Sequence, residues 1–126
     1  MLVVSIPQFV QGLTNAKVDL TSTDVTTLYT APSSADFNSS VINSIIVSND
    51  SGSSDTITLT LTSGSDVFNL FQVKAVAANT SIELLTRDLI LQSAEILKVT
   101  AATADRLHVV ASVQEFALHR TPQSAL

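Results

Sequence analysis

The stretch Asp55–Phe68, DTITLTLTSGSDVF, decides the fold. Ile57, Leu59 and Leu61 alternate with Thr56, Thr58, Thr60 and Thr62 without a break. Successive side chains on an extended strand point to opposite faces, so a period of two builds one apolar wall and one threonine wall. Ser63–Asp66 (SGSD) then supplies turn residues ahead of another apolar run. The apolar wall seals a core. The threonine wall needs a separate account.

Working outward, the same strand-and-turn rhythm fills the chain. Lys17–Leu20 and Thr26–Ala31 read as strands, and SSADFNSS after Pro32 reads as a loop. Val41–Asn49 (VINSIIVSN) is apolar on both faces, which predicts a central strand covered on both sides. In Val67–Val76, Phe68, Leu70 and Val76 oppose Val67, Phe71 and Val73. Ser81–Leu85, Leu89–Leu91, Ile96–Ala101 and Leu107–Phe116 follow, the last placing Leu107, Val109, Ala111 and Val113 on one face. No stretch keeps a helical apolar period for three turns. About eight or nine strands at intervals of roughly 8–12 residues predict an all-β protein, a β-sandwich or jelly roll of about eight strands with an extended N-terminal arm. The expected division is an arm at 1–15, a sandwich at 16–117 and a tail at 118–126.

The arm carries Leu2, Val3, Val4, Ile6, Phe9 and Val10, more apolar side chains than a free tail should show to water. Such a segment docks on a neighbouring subunit or adds a strand to an exposed sheet edge. The alternative is that it folds back as an extra strand of its own sandwich. The apolar run at Leu2–Ile6 stops at Pro7 and lacks a basic flank, so neither a signal peptide nor a membrane span is expected.

Composition narrows the function classes. The 126 residues suit one domain with a real core, yet only 13% are charged, while 17 Ser and 15 Thr make the surface hydroxyl-rich. Hydroxyls that find partners are easier to bury than ions, a lean toward assembly, although threonine also favours strands for its own reasons. The net charge is −5, and the six basic residues are scattered, so no nucleic-acid or anionic-membrane partner is expected. Cysteine is absent, which rules out disulfides and thiolate metal sites. His108 and His119 are the only imidazoles, one in mid-strand and one in the tail, and no nucleophile-elbow, zincin or phosphate-loop motif occurs. No enzyme activity, cofactor or small-molecule substrate is expected. NDSGSSD (Asn49–Asp55) could hold calcium through Asp50 and Asp55, but lacks the ligand run of a calcium loop and reads first as a turn. Six aromatic residues, mostly at predicted core positions and with no tryptophan, offer little platform for sugars.

The succession LYTAP (28–32), VINSIIVSNDSGSSDTITLTL (41–61), VAANTSIELLTRDLILQSAEILKVTA (76–101) and RLHVVASVQEF (106–116) resembles small β-sandwich virion proteins of tailed bacteriophages. Shared features are a strand ending in a proline turn, an asparagine opening the turn after the central strand, an AANTS-like turn, and a leucine-rich stretch before the VTA strand. Ala94-Glu95 stands where that pattern more often has Gly-Asp. The resemblance implies a capsid decoration (cement) protein on the virion surface, made in the host cytoplasm. It also implies partners among the major capsid protein and other virion proteins, and a homotrimer clamping the lattice through its arm. Contact would then fall to Leu2, Val3, Val4, Ile6, Phe9 and Val10, and the threonine wall would pack beside other subunits. A neck, tail or fibre-attachment component is the alternative, ahead of a host-receptor carbohydrate-binding module.

Overall fold

The computed structural model describes the backbone of residues 7–120 and the side chains of residues 12–117. Among the described residues nine strands are formed and no helix: β1 (Pro7–Asp19), β2 (Thr26–Thr30), β3 (Phe37–Asn49), β4 (Asp55–Ser63), β5 (Asp66–Val76), β6 (Thr80–Glu83), β7 (Leu89–Leu91), β8 (Ile96–Ala101) and β9 (Leu107–Arg120). They lie in two antiparallel sheets. The first runs β1-β9-β3-β6, with β7 sharing the β6 side of β3, and the second runs β2-β8-β4-β5.

The pairings are nested. β1 pairs β9, β2 pairs β8, β3 pairs β6 and β7, and β4 pairs β5. The first half of the chain therefore forms one long antiparallel ribbon with the second half, and the Asp55–Phe68 stretch is its apex. Rolling that ribbon brings β9 beside β3 and β8 beside β4. This is the jelly roll, with its G-position strand split into β6 and β7.

The apex turn follows from its residues. Ser63 and Asp66 are cross-strand partners, leaving Gly64 and Ser65 as a two-residue loop. Gly64 has φ 61°, as the first central residue of a II′ hairpin requires, and glycine reaches it without a Cβ clash. Alternation then sorts the faces. Ile57 and Leu59 of β4 and Leu97 and Val99 of β8 are sealed against Ile42, Ile45 and Val47 of β3 and Val109, Ala111 and Val113 of β9. Truncating one of these core side chains to alanine costs about 2–5 kcal/mol in comparable cores.

The loop Asn49–Asp55 is ordered by its own polar groups. The Asn49 amide donates to the carbonyls of Ser53 (2.9 Å) and Val76 (3.2 Å), and its Oδ1 accepts from the Ser51 N–H (3.0 Å). Buried Asp55 accepts from the N–H groups of Thr56 (2.8 Å) and Thr103 (3.2 Å), which fastens the loop between β8 and β9 to β4. The acid weighed as a calcium ligand thus has backbone donors instead. No cluster of His, Asp and Glu suited to a metal ion occurs among the described residues.

Three expectations need correction. β3 is central, flanked by β9 on one side and β6 and β7 on the other, but it is not covered on both faces: Ile46 is 42% exposed. Its start at Phe37 lies inside the stretch read as a loop. β5 is an edge strand, and Val67, Phe68, Leu70 and Val73 are exposed, so Phe68 is not a core aromatic. β1 and β9 are also longer than their apolar patterns suggest. Pro7 pairs with Arg120, so the β1–β9 ladder runs without a break over Pro7–Asp19.

The edge strand is irregular. The β4–β5 register slips twice, between Ile57 and Leu59 and between Leu59 and Thr60, each time with an extra residue on β5. At the first bulge Val73 sits at φ 52°, a left-handed conformation that is strained for a β-branched residue, and its N–H donates to Thr58 Oγ1 at 3.1 Å. One member of the threonine row therefore repairs the ladder where the bulge breaks it. Val73→Gly should keep the bulge and relieve the strain. Thermal unfolding is expected to show a gain of about 1 kcal/mol, the strain removed less the added chain entropy of glycine.

Candidate functional site

No catalytic group is assembled among the described residues. His108, on the outer face of β9, is held between two carboxylates, with Nδ1 3.0 Å from Asp19 Oδ1 and Nε2 3.2 Å from Asp50 Oδ2. A neutral imidazole donates through one nitrogen only, whereas the imidazolium donates to both carboxylates. Ser48 is the cross-strand partner of His108, yet its hydroxyl lies 2.9 Å from Ser81 Oγ. Both ring nitrogens face acids and no nucleophile meets them, so the histidine acts as a brace across the end of the first sheet. Asp50 is the other acid weighed for calcium, and this contact is where it goes.

The outer face of the first sheet is laid out in cross-strand rows. One row reads Asp19, His108, Ser48 and Ser81 from β1 to β6. The next reads Lys17, Val110, Ile46 and Glu83, a cation and an anion bracketing two aliphatics that are 40% and 42% exposed. Toward the other end, Leu13, Gln114, Val41 and Ile90 form a row from β1 to β7, with Leu13 78% exposed and Ile90 63%. The inward partners of these positions, among them Ala16, Val18, Ile82 and Leu89, pack on the core.

Glu83 has a second duty. Its carboxylate accepts from the Ser44 hydroxyl, the Ile45 N–H (2.7 Å) and the Leu85 N–H (3.2 Å). The Ile45 carbonyl accepts from the Leu84 N–H just past the end of β6, so Glu83 satisfies the neighbouring Ile45 N–H in the gap that β6 and β7 leave beside β3. Burial alone pushes this carboxyl up, but the three donors outweigh it and hold Glu83 below the ordinary glutamate value.

The outer face of the second sheet is the threonine wall. Thr56, Thr58, Thr60 and Thr62 are half-buried, with Thr58 opposite Thr100, Thr60 between Lys98 and Asn69, and Thr62 between Ile96 and Val67. Thr62 Oγ1 is enclosed without a hydrogen-bond partner among the described residues. Where this wall meets the apex turn, Val67 (61% exposed), Phe68 (53%) and Leu70 (37%) make an apolar tip. The surface depressions are open and shallow. One of about 350 Å³ lies over Leu13, Asn15 and Ser112, and one of about 330 Å³ over Ser48, Asp50 and Ser81. Neither is lined by an aromatic residue, which gives no platform for a sugar ring.

Inside, a tyrosine joins the two sheets, as the Asn49 amide does from β3 to β5. The Tyr29 hydroxyl, on β2, lies 2.6 Å from Ser40 Oγ on β3 and 2.5 Å from Glu115 Oε2 on β9. Burial first, then the Glu115 carboxylate, pushes the phenol up to about 12.

Of the contact residues expected from the sequence, Phe9 and Val10 lie on the part of β1 that pairs with Leu118 and Ala117 of β9. Leu2, Val3, Val4 and Ile6 lie outside the described residues. Sequence reasoning missed the exposed aliphatics Ile46, Val110 and Ile90. The available signal was apolar character on both faces of an antiparallel strand, which marks either a covered strand or a contact surface.

No protein-family model matches the chain, and no curated protein sequence does. Among solved structures it is similar to that of infectious bursal disease virus Gx strain, with a TM-score of 0.40 and 10% identity over 96% of this chain and 42% of the other. It is also similar to the Gt strain, with a TM-score of 0.26 and 11% identity over 92% and 43%. The chain spans under half the length of either, and overlap of this order is loose.

Two measurements test the polar contacts. With one tyrosine and no tryptophan, absorbance near 295 nm reports Tyr29 alone, and its ionisation should wait until about pH 12 or alkaline unfolding. The raised value adds stability that is complete below the free phenol's pKa and lost as the pH rises toward 12. Tyr29→Phe strands the buried Ser40 hydroxyl and should cost about 1–3 kcal/mol in denaturant unfolding. Glu83 has the opposite sign. Its stabilisation is present above the ordinary carboxylate range and disappears as the pH falls through its lowered value. Glu83→Gln should therefore be less stable than the parent by about 1–2 kcal/mol at pH 7, with the gap closing toward pH 3.

Proposed function

We propose that the chain is a structural protein of a tailed-bacteriophage virion, a capsid decoration protein that binds and stabilises the major capsid protein lattice. The observation that carries this reading is the surface of the second sheet. A hydroxyl-rich wall with Lys98 as its charged side chain ends at an apolar hairpin tip of Val67, Phe68 and Leu70. Such a surface costs little to desolvate, because its hydroxyls can exchange water for partner groups and few ions are stripped. It offers an open row of half-buried hydroxyl side chains rather than an enclosed site, which suits a protein that covers another protein. The resemblance of residues 28–116 to small phage virion proteins supports the same reading.

Leu2, Val3, Val4 and Ile6, with Phe9 and Val10, are the arm contacts of this proposal, and the hairpin tip is its second anchor. The test is cosedimentation of the purified chain with shells assembled from the major capsid protein encoded alongside it. The full chain is expected to pellet with the shells at saturable stoichiometry. Removing residues 1–6 leaves every described strand whole and is expected to abolish pelleting, while Phe68→Ser should weaken it about tenfold or more, as for a central aromatic contact. Normal pelleting without residues 1–6 eliminates Leu2, Val3, Val4 and Ile6 from the contact. A full chain that ignores shells but binds isolated tails or necks transfers the role to the joint between head and tail.

A further inference from the structure

We propose that the outer face of the first sheet joins two copies of this chain about a two-fold axis that runs along the strands, between β9 and β3. The inference does not rest on the virion reading. It follows from the order of side chains in the rows. Rotation by half a turn about such an axis lays β1 over the partner's β6 and β7, and β9 over the partner's β3, while keeping each row over its own counterpart. Every row is thereby read against its own reverse.

The row Lys17, Val110, Ile46, Glu83 is complementary to its reverse. Lys17 of one copy meets the partner's Glu83 twice, once on each side of the axis, and Val110 meets Ile46 between them. In the row toward the other end, Leu13 meets Ile90, the two most exposed aliphatics on this face, at 78% and 63%. In the remaining charged row Asp19 faces Ser81 and His108 faces Ser48, a carboxylate and an imidazole against hydroxyls. Within these three rows no like charges are opposed. Tilting each sheet by about 15° to the axis gives the roughly 30° crossing at which sheet faces pack.

The donors that already hold Glu83 leave this arrangement intact. Ser44, Ile45 and Leu85 keep the carboxylate charged and fixed in position, so the incoming ammonium meets an ordered anion. Four strands at about 4.8 Å and six residues at about 3.3 Å give a footprint on the order of 20 Å by 20 Å. That is about 400 Å² from each copy, roughly half the standard size of a specific interface, so the dimer is expected to be weak and to form only at high concentration.

The first test is sedimentation equilibrium of the full chain up to about 1 mM. A concentration-dependent dimer is expected; a monomer throughout, or a trimer, overturns the proposal. Lys17→Glu places two glutamates over the partner's two Glu83 side chains and should raise the dissociation constant at least about tenfold, whereas an unchanged constant overturns it. The second test reads the axis directly and uses two exposed positions in a chain that has no cysteine of its own. Leu13→Cys and Ile90→Cys chains are mixed and treated with a short bismaleimide, because facing sheets stand about 10 Å apart, too far for a direct disulfide. Linked dimers should form in the mixture and not with either chain alone. Linking of either single variant as readily as the mixture, or none in the mixture, removes the proposed axis.

Discussion

The whole structure depends on the antiparallel ladder that runs from the Ser63–Asp66 hairpin to the Pro7–Arg120 pair. A period-two strand that slips by one residue exchanges its apolar and polar faces completely. The tight glycine turn at the apex therefore sets which side of nearly every later strand reaches the core. Pairings this distant in sequence close large loops, so folding is governed more by chain topology than by local propensity.

Two kinds of interior satisfaction keep that ladder in place. Apolar side chains from four inner strands fill the space between the sheets, and polar side chains repair the points where the backbone leaves the ladder. Glu83 serves the gap between β6 and β7, Thr58 the bulge in β5, and Asp55 the loop before β9. Tyr29 does the same work between sheets, supplying the hydrogen bond that makes a buried Ser40 tolerable. None of these contacts is shaped like a catalytic site. Their donors and acceptors point at backbone or at each other, which leaves the outer faces to meet other molecules.

Much of this was legible in the sequence. The runs Thr56–Thr62, Leu89–Leu91 and Ile96–Ala101 lie within or coincide with observed strands, because alternation bounded by Gly, Ser, Asp and Pro is a local signal. What failed was long-range. Nothing local in QFVQGLTNAK distinguishes a docking arm from a strand beside β9, since its few apolar residues do not alternate. Val41–Asn49 and Val67–Val76 misled for a related reason. Their two-faced apolar character was assigned to burial, but the outer side of β3 and most of β5 lie open. Position in the sheet, edge or centre, is a property of the pairing and cannot be read from the strand itself. The candidate surfaces were legible only as composition: a sequence rich in hydroxyls and poor in charge announces contact without saying where.

The double bulge on β5 has a further consequence for a chain crowded at high local density. An open edge with several aliphatic side chains is a template on which strands of other molecules can grow into fibrils. The two extra residues break the even spacing of donors and acceptors along that edge, and Val73 holds the break in a conformation that a regular ladder does not allow. The edge can still present side chains to a neighbour, but its backbone is a poor seed. The bulged geometry, rather than the strain it carries, is what makes an apolar margin of this kind a poor template for strand addition.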